Sequence, residues 1–294
     1  MSAARPHAAT VALGGGGARG LAHLGVLDEL EKGGVRVAAV AGTSSGALLG
    51  ALWLLEGTEG AVARVGAFVR SRPGRRIVDP LAEGAGDHLD LVRRGRRLAG
   101  LLRLVVSRHQ VTQQMFFERV AFFLPDVEIA QLPRPFVAVA ADVLTGREVW
   151  LGSGRLRYAV AASSAMPGLV APFEIDGRYL QDGGAVAEIP VRAARALGVP
   201  VLAIEVSESL PAGQPGRERV PRAMFRAAAM GWQELRRRIL AEADAVIAPA
   251  VNHLHWADYD RVDEAVEAGR AAAREYLAGR EGTGYRGPGT GVEL

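Results

Sequence analysis

The fold is decided by the stretch Val37-Ala-Ala-Val-Ala-Gly-Thr-Ser-Ser-Gly-Ala-Leu-Leu-Gly50. An apolar run precedes the pattern G-x-S-x-G, and small apolar residues continue to Leu55, which predicts a strand, a sharp turn and a helix with Ser44 at the turn. Gly42 and Gly46 have no side chains, so the backbone can turn sharply between them and leave the Ser44 hydroxyl exposed. Backbone N–H groups at the helix start favour developing negative charge beside Ser44. We interpret Ser44 as a nucleophile; the alternative is a tight turn without catalytic function.

The length and composition of the chain restrict the class of protein to which it can belong. A chain of 294 residues with 49% apolar residues predicts one large α/β domain. The absence of cysteine excludes disulfides, thiolate metal sites and a cysteine nucleophile, and it fits a reducing compartment. A strand expected by Thr10 leaves no room for a signal peptide, so we expect a cytoplasmic protein. The apolar stretch 34–55 contains Arg36 and a polar turn, so no membrane span is predicted.

A glycine-rich loop precedes the serine turn. Residues 9–13 predict a short strand, Gly14–Gly20 a loop and residues 21–32 a helix, which begins a parallel, right-handed βαβ arrangement. The loop also matches the G-x-G-x-x-G pattern of dinucleotide-binding proteins. That alternative is weak because no acidic residue ends the second strand and no Lys-Ser/Thr pair follows the loop.

The two loops are expected to act together. Adjacent parallel strands end side by side, so the glycine loop should lie beside Ser44. The backbone N–H groups of Gly15, Gly16 and Gly17 could then hold the oxyanion that forms when the serine attacks an ester. Arg19 would be the charged support of the loop, or an ordinary solvated arginine at a helix start.

A serine nucleophile needs a base within hydrogen-bond reach. Asp182 follows a predicted hairpin over 174–180, whose Asp176-Gly177 pair suits a type I′ turn. An ordinary Asp-Gly turn is the structural alternative. The order Ser…Asp…His also allows a triad through His253 or His255. A metal site at these histidines lacks a further ligand set, so none is predicted.

The segment over 70–108 is strongly basic, with ten arginines and four acidic residues, a local formal charge of +6. It mixes arginines with large aliphatic residues and has no aromatic residue for stacking on bases, so nucleic acid is not a predicted partner. We expect residues 72–110 to form a basic, amphipathic lid that contacts an anionic membrane peripherally. A solvated helix is the alternative.

Further elements follow from hydrophobic periodicity and turn residues. We expect residues 1–8 to be flexible, and residues 279–294, with six glycines, to be disordered. The predicted elements are helices over 59–71, 111–124, 155–164, 220–241 and 260–277 and strands over 136–141, 199–206 and 244–248.

Together these motifs resemble the patatin-like phospholipase family, most of all its bacterial neuropathy-target-esterase-like members. The matching segments are Gly-Gly-Gly-x-Arg-Gly (15–20), Gly-Thr-Ser-x-Gly (42–46), Asp142-Val-Leu-Thr-Gly146, Ala162-Ser-Ser-Ala-Met-Pro-Gly168 and Asp-Gly-Gly (182–184). The resemblance spans about residues 9–278 and implies one catalytic domain. The implied fold is α/β with three layers, a mainly parallel central sheet flanked by helices.

The resemblance also implies a mechanism. Ser44 and Asp182 would form a catalytic dyad, residues 15–17 the oxyanion loop, and no metal or other cofactor would be required. Many members carry an asparagine where this chain has Ala187, a difference that could loosen the loop that holds Asp182. We expect a serine acyl hydrolase of phospholipid or lysophospholipid esters; the alternative is a membrane-associated binding protein with little or no turnover. The sequence does not predict an oligomeric state.

Overall fold

The computed structural model describes residues 6–71, 111–208 and 220–279. The predicted lid over 72–110 and the predicted disordered tail after Gly279 lie outside the described residues, as do the first five residues. Within the described residues, no helix is both long and apolar enough to span a membrane. The apolar stretch 34–55 is a strand followed by a helix, as predicted.

Strands and helices alternate along the first half of the chain, as βαβ units require. The strands are β1 (Ala8–Leu13), β2 (Arg36–Thr43), β3 (Phe136–Asp142), β4 (Glu148–Leu151), β5 (Phe173–Ile175), β6 (Arg178–Asp182), β7 (Val201–Ile204) and β8 (Ala245–Ile247). The helices are α1 (Ala22–Lys32), α2 (Ser45–Arg70), α3 (Gln113–Phe123), α4 (Leu156–Ser163), α5 (Val191–Leu197), α6 (Val220–Leu240) and α7 (Val262–Leu277).

The strands form one sheet with a parallel centre in the order β3-β2-β1-β7-β8. Its two faces carry different side chains because neighbouring residues of a strand point in opposite directions. Val11 and Leu13 belong to the larger core with α1, α2, α4 and α7, whereas Ala12 faces a smaller core with α5 and the end of α6. The predicted three-layer α/β architecture is confirmed.

The sheet places β2 and β6 end to end. β4 pairs with residues 138–141 of β3 on one edge of that strand, so β2 and β6 share the other edge. Val139 pairs with Thr43 at the end of β2, and the next residue, Ala140, pairs with Asp182 at the end of β6. Because β6 runs antiparallel to β3, the carboxyl ends of β2 and β6 point at each other.

Most of the predicted elements are present, with small shifts at their ends. β1 begins at Ala8, and the hairpin turn has φ 51° at Asp176 and 72° at Gly177, as a type I′ turn requires. The helices expected before and after residue 57 are one element, α2, with a kink at Gly57 (φ 68°). The sequence analysis misses β4 and α5, which have only four and seven residues.

Candidate active site

The turn between β2 and α2 holds Ser44 in a strained conformation. Its φ is 53° and its ψ is −121°, a region that residues with a side chain rarely occupy. A Cβ added at Gly42 would overlap the backbone of Ala47, and one added at Gly46 would overlap the carbonyl of Leu13. The two predicted elbow glycines are therefore required by close packing of α2 on the ends of β1 and β2.

The side chains of Ser44 and Asp182 are in direct contact. The Ser44 hydroxyl donates to Asp182 Oδ2 with an oxygen–oxygen distance of 2.6 Å, although 138 residues separate them in the chain. The end-to-end arrangement of β2 and β6 on the edge of β3 explains this contact. The structure therefore brings together the predicted nucleophile and the predicted base without a histidine between them.

Asp182 is buried, with 7% of its surface exposed. Burial raises the pKa of its carboxyl group to about 6, and the hydrogen bonds from the Ser44 hydroxyl and the Gly184 N–H oppose that rise. The Gly184 N–H donates to Oδ1 at 2.8 Å, which leaves Oδ2 directed at the serine. The carboxylate is thus a stronger base than a solvated aspartate and is still ionised at neutral pH.

Two serines at the end of α4 hold the strained turn on both sides. The Ser163 hydroxyl accepts from the Ser44 N–H at 3.1 Å and donates to the Val139 carbonyl at 2.6 Å. The Ser164 hydroxyl donates to the Ser44 carbonyl at 3.2 Å. Sequence reasoning did not assign these roles, although it singled out the Ala162–Gly168 motif. Strained backbone persists where neighbouring groups fix it in this way.

The glycine loop lies beside Ser44, but its N–H groups are not equivalent. A Cβ added at Gly15 would lie 3.4 Å from the Ser44 Cβ. The Gly15 N–H donates to the Glu188 carbonyl at 2.9 Å, so it is not available to an oxyanion in this conformation. Within the described part of the chain, the N–H groups of Gly16 and Gly17 have no assigned acceptor. Of the three predicted oxyanion donors, those of Gly16 and Gly17 therefore remain candidates.

Arg19 supports the loop from beneath rather than facing solvent. The side chain is buried, with 6% of the residue exposed. Its Nε donates to the Val206 carbonyl at 3.1 Å and one Nη donates to the Leu254 carbonyl at 3.3 Å. The arginine therefore ties the start of the first helical segment to two distant loops and takes no part in the contact between Ser44 and Asp182.

His23 is a supporting residue that the sequence analysis did not identify. Its Nε2 lies 2.8 Å from the Gly14 carbonyl oxygen and must carry the proton, since a carbonyl only accepts. Burial lowers the pKa of His23 to about 4, so the ring is neutral and cannot serve as a cationic partner. The sequence did contain a signal for this role, because His23 stands on the apolar face of the helix that follows the glycine loop.

Thr43 closes the loop that follows Asp182. Its hydroxyl donates to the Ala187 carbonyl at 2.8 Å, and the Ala187 N–H donates to the Gly183 carbonyl at 2.8 Å. The loop is therefore held through backbone groups at the position where many family members have asparagine.

The two histidines considered for a triad make local contacts instead. The exposed ring of His253 lies 2.7 Å from Glu264 Oε1, and the His255 ring accepts from the Ala257 N–H at 3.4 Å. In the part of the chain that the structure describes, no cluster of His, Asp or Glu side chains could hold a metal ion.

We expect the double variant H253N/H255N to lower kcat/KM for a soluble ester by less than about tenfold, because neither ring contacts the dyad. Initial rates with a chromogenic short-chain ester measure the effect. A loss as large as that of an Asp182 variant would instead support the triad.

Comparison with known proteins identifies the family. Residues 11–195 match the family model described as patatin-like phospholipase. The chain belongs to the patatin-like phospholipase family. The NTE family protein Rv1063c of Mycobacterium tuberculosis is 35% identical over 181 residues, which cover 62% of this chain and 44% of the relative. The NTE family protein Rv2565 of the same organism is 30% identical over 290 residues, which cover 90% of this chain and 46% of the relative.

A mammalian relative belongs to the same group. Mouse patatin-like phospholipase domain-containing protein 6 is 29% identical over 240 residues, which cover 81% of this chain and 16% of that protein. The resemblance to the neuropathy-target-esterase-like subgroup is therefore confirmed. The chain spans less than half the length of these relatives.

Proposed function

We propose that the protein is a serine acyl hydrolase of lipid carboxylic esters that works through a dyad of Ser44 and Asp182. The observation that carries this proposal is the 2.6 Å hydrogen bond between the Ser44 hydroxyl and the buried carboxylate of Asp182. A nucleophile and a base in direct contact, on a strained turn at the N-terminus of a helix, are the parts that acyl transfer requires.

The reaction follows from these positions. Ser44 Oγ attacks the ester carbonyl carbon while its proton passes to Asp182 Oδ2. The oxyanion accepts hydrogen bonds from the N–H groups of Gly16 and Gly17, each worth about 3 kcal/mol in the transition state. The leaving alcohol takes the proton from Asp182, and an acyl group stays on Ser44. Water then attacks the acyl carbonyl as Asp182 accepts the water proton. The carboxylic acid leaves as Ser44 recovers its proton.

The proposed substrates are phospholipids or lysophospholipids. The family to which the chain belongs is named for phospholipase activity, and that support is a family-level analogy. The mechanism uses only groups of this chain and needs no cofactor. Neither the acyl chain nor the head group is specified by the dyad, because both of its members act on the ester group alone.

Labelling with a fluorophosphonate probe tests the proposal. The probe should form one covalent adduct, which peptide mapping assigns to Ser44. The labelled protein should then lose hydrolysis of esters, phospholipids and lysophospholipids together. Failure of the unlabelled protein to turn over any of these substrates would favour the membrane-associated binding protein instead.

The activity should depend on pH through Asp182. The carboxyl group must be ionised to accept the serine proton, so kcat/KM should rise through a midpoint near the pKa of about 6 and level off above it. At pH 5 the rate should be about a tenth of the plateau. A pH series with a soluble ester measures this midpoint.

Glu188 provides the control for that profile. Partial burial also raises the pKa of its side chain, to about 7, and Arg236 opposes the rise. If Asp182 causes the fall of kcat/KM at low pH, the variant E188Q should show the same fall, with its midpoint still near pH 6. If kcat/KM of E188Q no longer fell at low pH, the titrating group would be Glu188.

A further inference from the structure

The end of helix α6 brings one arginine into contact with the loops next to the candidate active site. Ile239 and Leu240 belong to the smaller core, which fixes the end of the helix against the sheet. Arg236 precedes them by about one turn and is buried, with 9% of its surface exposed. An arginine is seldom buried unless its charge and its N–H groups are compensated, so the partners of this side chain indicate its role.

The guanidinium group of Arg236 joins two segments that are far apart in the chain. Both of its terminal nitrogens donate to the Glu208 carbonyl at 3.2 Å. One of them also lies 3.7 Å from Glu205 Oε1 and 3.6 Å from Glu188 Oε2. Glu205 and Glu208 follow β7, whereas Glu188 lies in the loop after β6. The arginine therefore holds the segment 205–208 and the segment around Glu188 together.

The glycine loop contacts the same two segments. The Gly15 N–H donates to the Glu188 carbonyl at 2.9 Å. A Cβ added at Gly16 would lie 2.9 Å from the Val206 carbonyl oxygen, so the loop also packs closely against the segment after β7. Because both contacts are made by backbone atoms, a shift of either segment would shift the glycine loop.

The N–H groups proposed for the oxyanion belong to this part of the loop. Gly16 and Gly17 directly follow the residue that Glu188 holds. A misplacement of about 1 Å in a site can lower the rate of the reaction by about 100-fold. Ser44 is held separately, by the serines at the end of α4. Movement of the two segments should therefore displace the oxyanion donors more than the nucleophile.

The alternative is that Arg236 serves stability alone. Buried ion pairs are a weak source of stability, because the cost of removing charges from water offsets their attraction, and apolar side chains often replace them without loss. A planar guanidinium group, in contrast, holds several acceptors in one fixed arrangement. The cluster of Arg236, Glu188 and Glu205 is thus better suited to fix the geometry of the two segments than to stabilise the fold.

We propose that Arg236 is a positioning residue, which fixes the two segments that hold the glycine loop and thereby aims the N–H groups of Gly16 and Gly17 at the oxyanion. It acts through the backbone of the loop and not on the ester itself. This inference rests on the proposed function, because the oxyanion forms only in acyl transfer.

The variant R236K tests the proposal without leaving a buried carboxylate unpaired. Lysine keeps the positive charge beside Glu188 and Glu205, so the protein should fold, but its single nitrogen cannot reproduce the contacts of the planar guanidinium group. We expect kcat for a soluble ester to fall at least about tenfold and KM to change by less than about twofold. The reason is that oxyanion donors stabilise the transition state and not the bound ester.

Labelling with a fluorophosphonate separates positioning from a loss of folded protein. The fraction of protein labelled at completion counts the intact sites, and the rate constant of labelling reports how well the phosphonyl oxygen is held at the oxyanion position. R236K should be labelled completely, at a rate lowered about as much as kcat. A labelling rate, or a kcat per labelled site, equal to that of the wild type would overturn the proposal.

R238M is the matched control. Arg238 lies in the same turn of α6, is largely exposed and donates to Glu234 Oε1 at 2.7 Å. Its replacement removes an ion pair from the same helix and leaves the contacts of Arg236 in place. We expect kcat and the labelling rate of R238M to match the wild type. A loss equal to that of R236K would show that α6 as a whole, and not the guanidinium group of Arg236, is responsible.

Hydrogen exchange of the Gly15 amide, measured by NMR, tests the loop without any substrate. This amide donates to the Glu188 carbonyl, so its exchange should be at least about fivefold faster in R236K than in R238M. Equal exchange would overturn the proposal whether or not the protein hydrolyses esters. If the wild type is neither labelled nor active on any ester but the exchange still differs, Arg236 does hold the loop and the proposed function fails.

Discussion

S44A should abolish both ester hydrolysis and fluorophosphonate labelling. The hydroxyl is the only group of Ser44 that can attack a carbonyl, and its removal leaves Asp182 without a nucleophile to activate. Turnover should fall by at least about four orders of magnitude, as it does when a catalytic nucleophile is removed. Rates with a soluble ester and gel fluorescence of the labelled protein measure the two effects. The fold should persist, because alanine keeps the Cβ and the backbone of the turn.

The neighbouring serine is the matched control for that variant. The Ser45 hydroxyl is buried and has no hydrogen-bond partner among the described residues, so S45A removes the same atom without loss of a hydrogen bond. S45A should label and turn over like the wild type. Labelling that persists in S44A would show that another residue carries the nucleophile.

D182N should lower turnover by about three to four orders of magnitude while leaving the fold intact. Asparagine has the shape of aspartate, and its carbonyl oxygen can still accept from the Gly184 N–H, but its side chain cannot take up the serine proton. Single-turnover kinetics with a chromogenic ester measure the effect. The rate should not recover at high pH, because no carboxyl group is left to ionise.

The same variant should be more stable than the wild type at pH 8. Burial raises the pKa of folded Asp182 to about 6 from 3.8, so the folded state holds the proton more tightly than the unfolded chain does. The contribution of this group to stability is therefore complete below pH 4 and is lost as the pH rises through 6. The loss is on the order of 3 kcal/mol, which D182N avoids. Thermal unfolding at pH 8 and pH 4 should show the stabilisation only at the higher pH.

Asp176 provides the control for both effects. It is exposed in the turn of the same hairpin, and its φ of 51° suits asparagine equally well. D176N should leave turnover and the pH dependence of stability unchanged. Equal losses of activity in D176N and D182N would mean that the hairpin, rather than the carboxylate of Asp182, supports catalysis.

Local sequence is sufficient for the serine turn and for most of the sheet. Steric crowding at Gly42 and Gly46 and the change from strand to helix around Ser44 involve residues that are neighbours in the chain, so a short pattern records them. Long apolar strands and helices are predicted for the same reason. β4 was missed because an edge strand of four residues, with only Val149 buried, leaves little periodicity.

The sequence by itself determined the local elements and the candidate residues, whereas the tertiary structure decided which residues far apart in the chain are in contact. The motifs identified Ser44 and Asp182, but only the alignment of β2 and β6 along one edge of β3 brings their oxygens within 2.6 Å. The engagement of the Gly15 N–H by the Glu188 carbonyl likewise joins segments that are far apart in the chain. For α6, periodicity predicted a helix, but a helix carries the same pattern whichever of its faces another element covers, so only tertiary packing decides that Ile239 and Leu240 are buried.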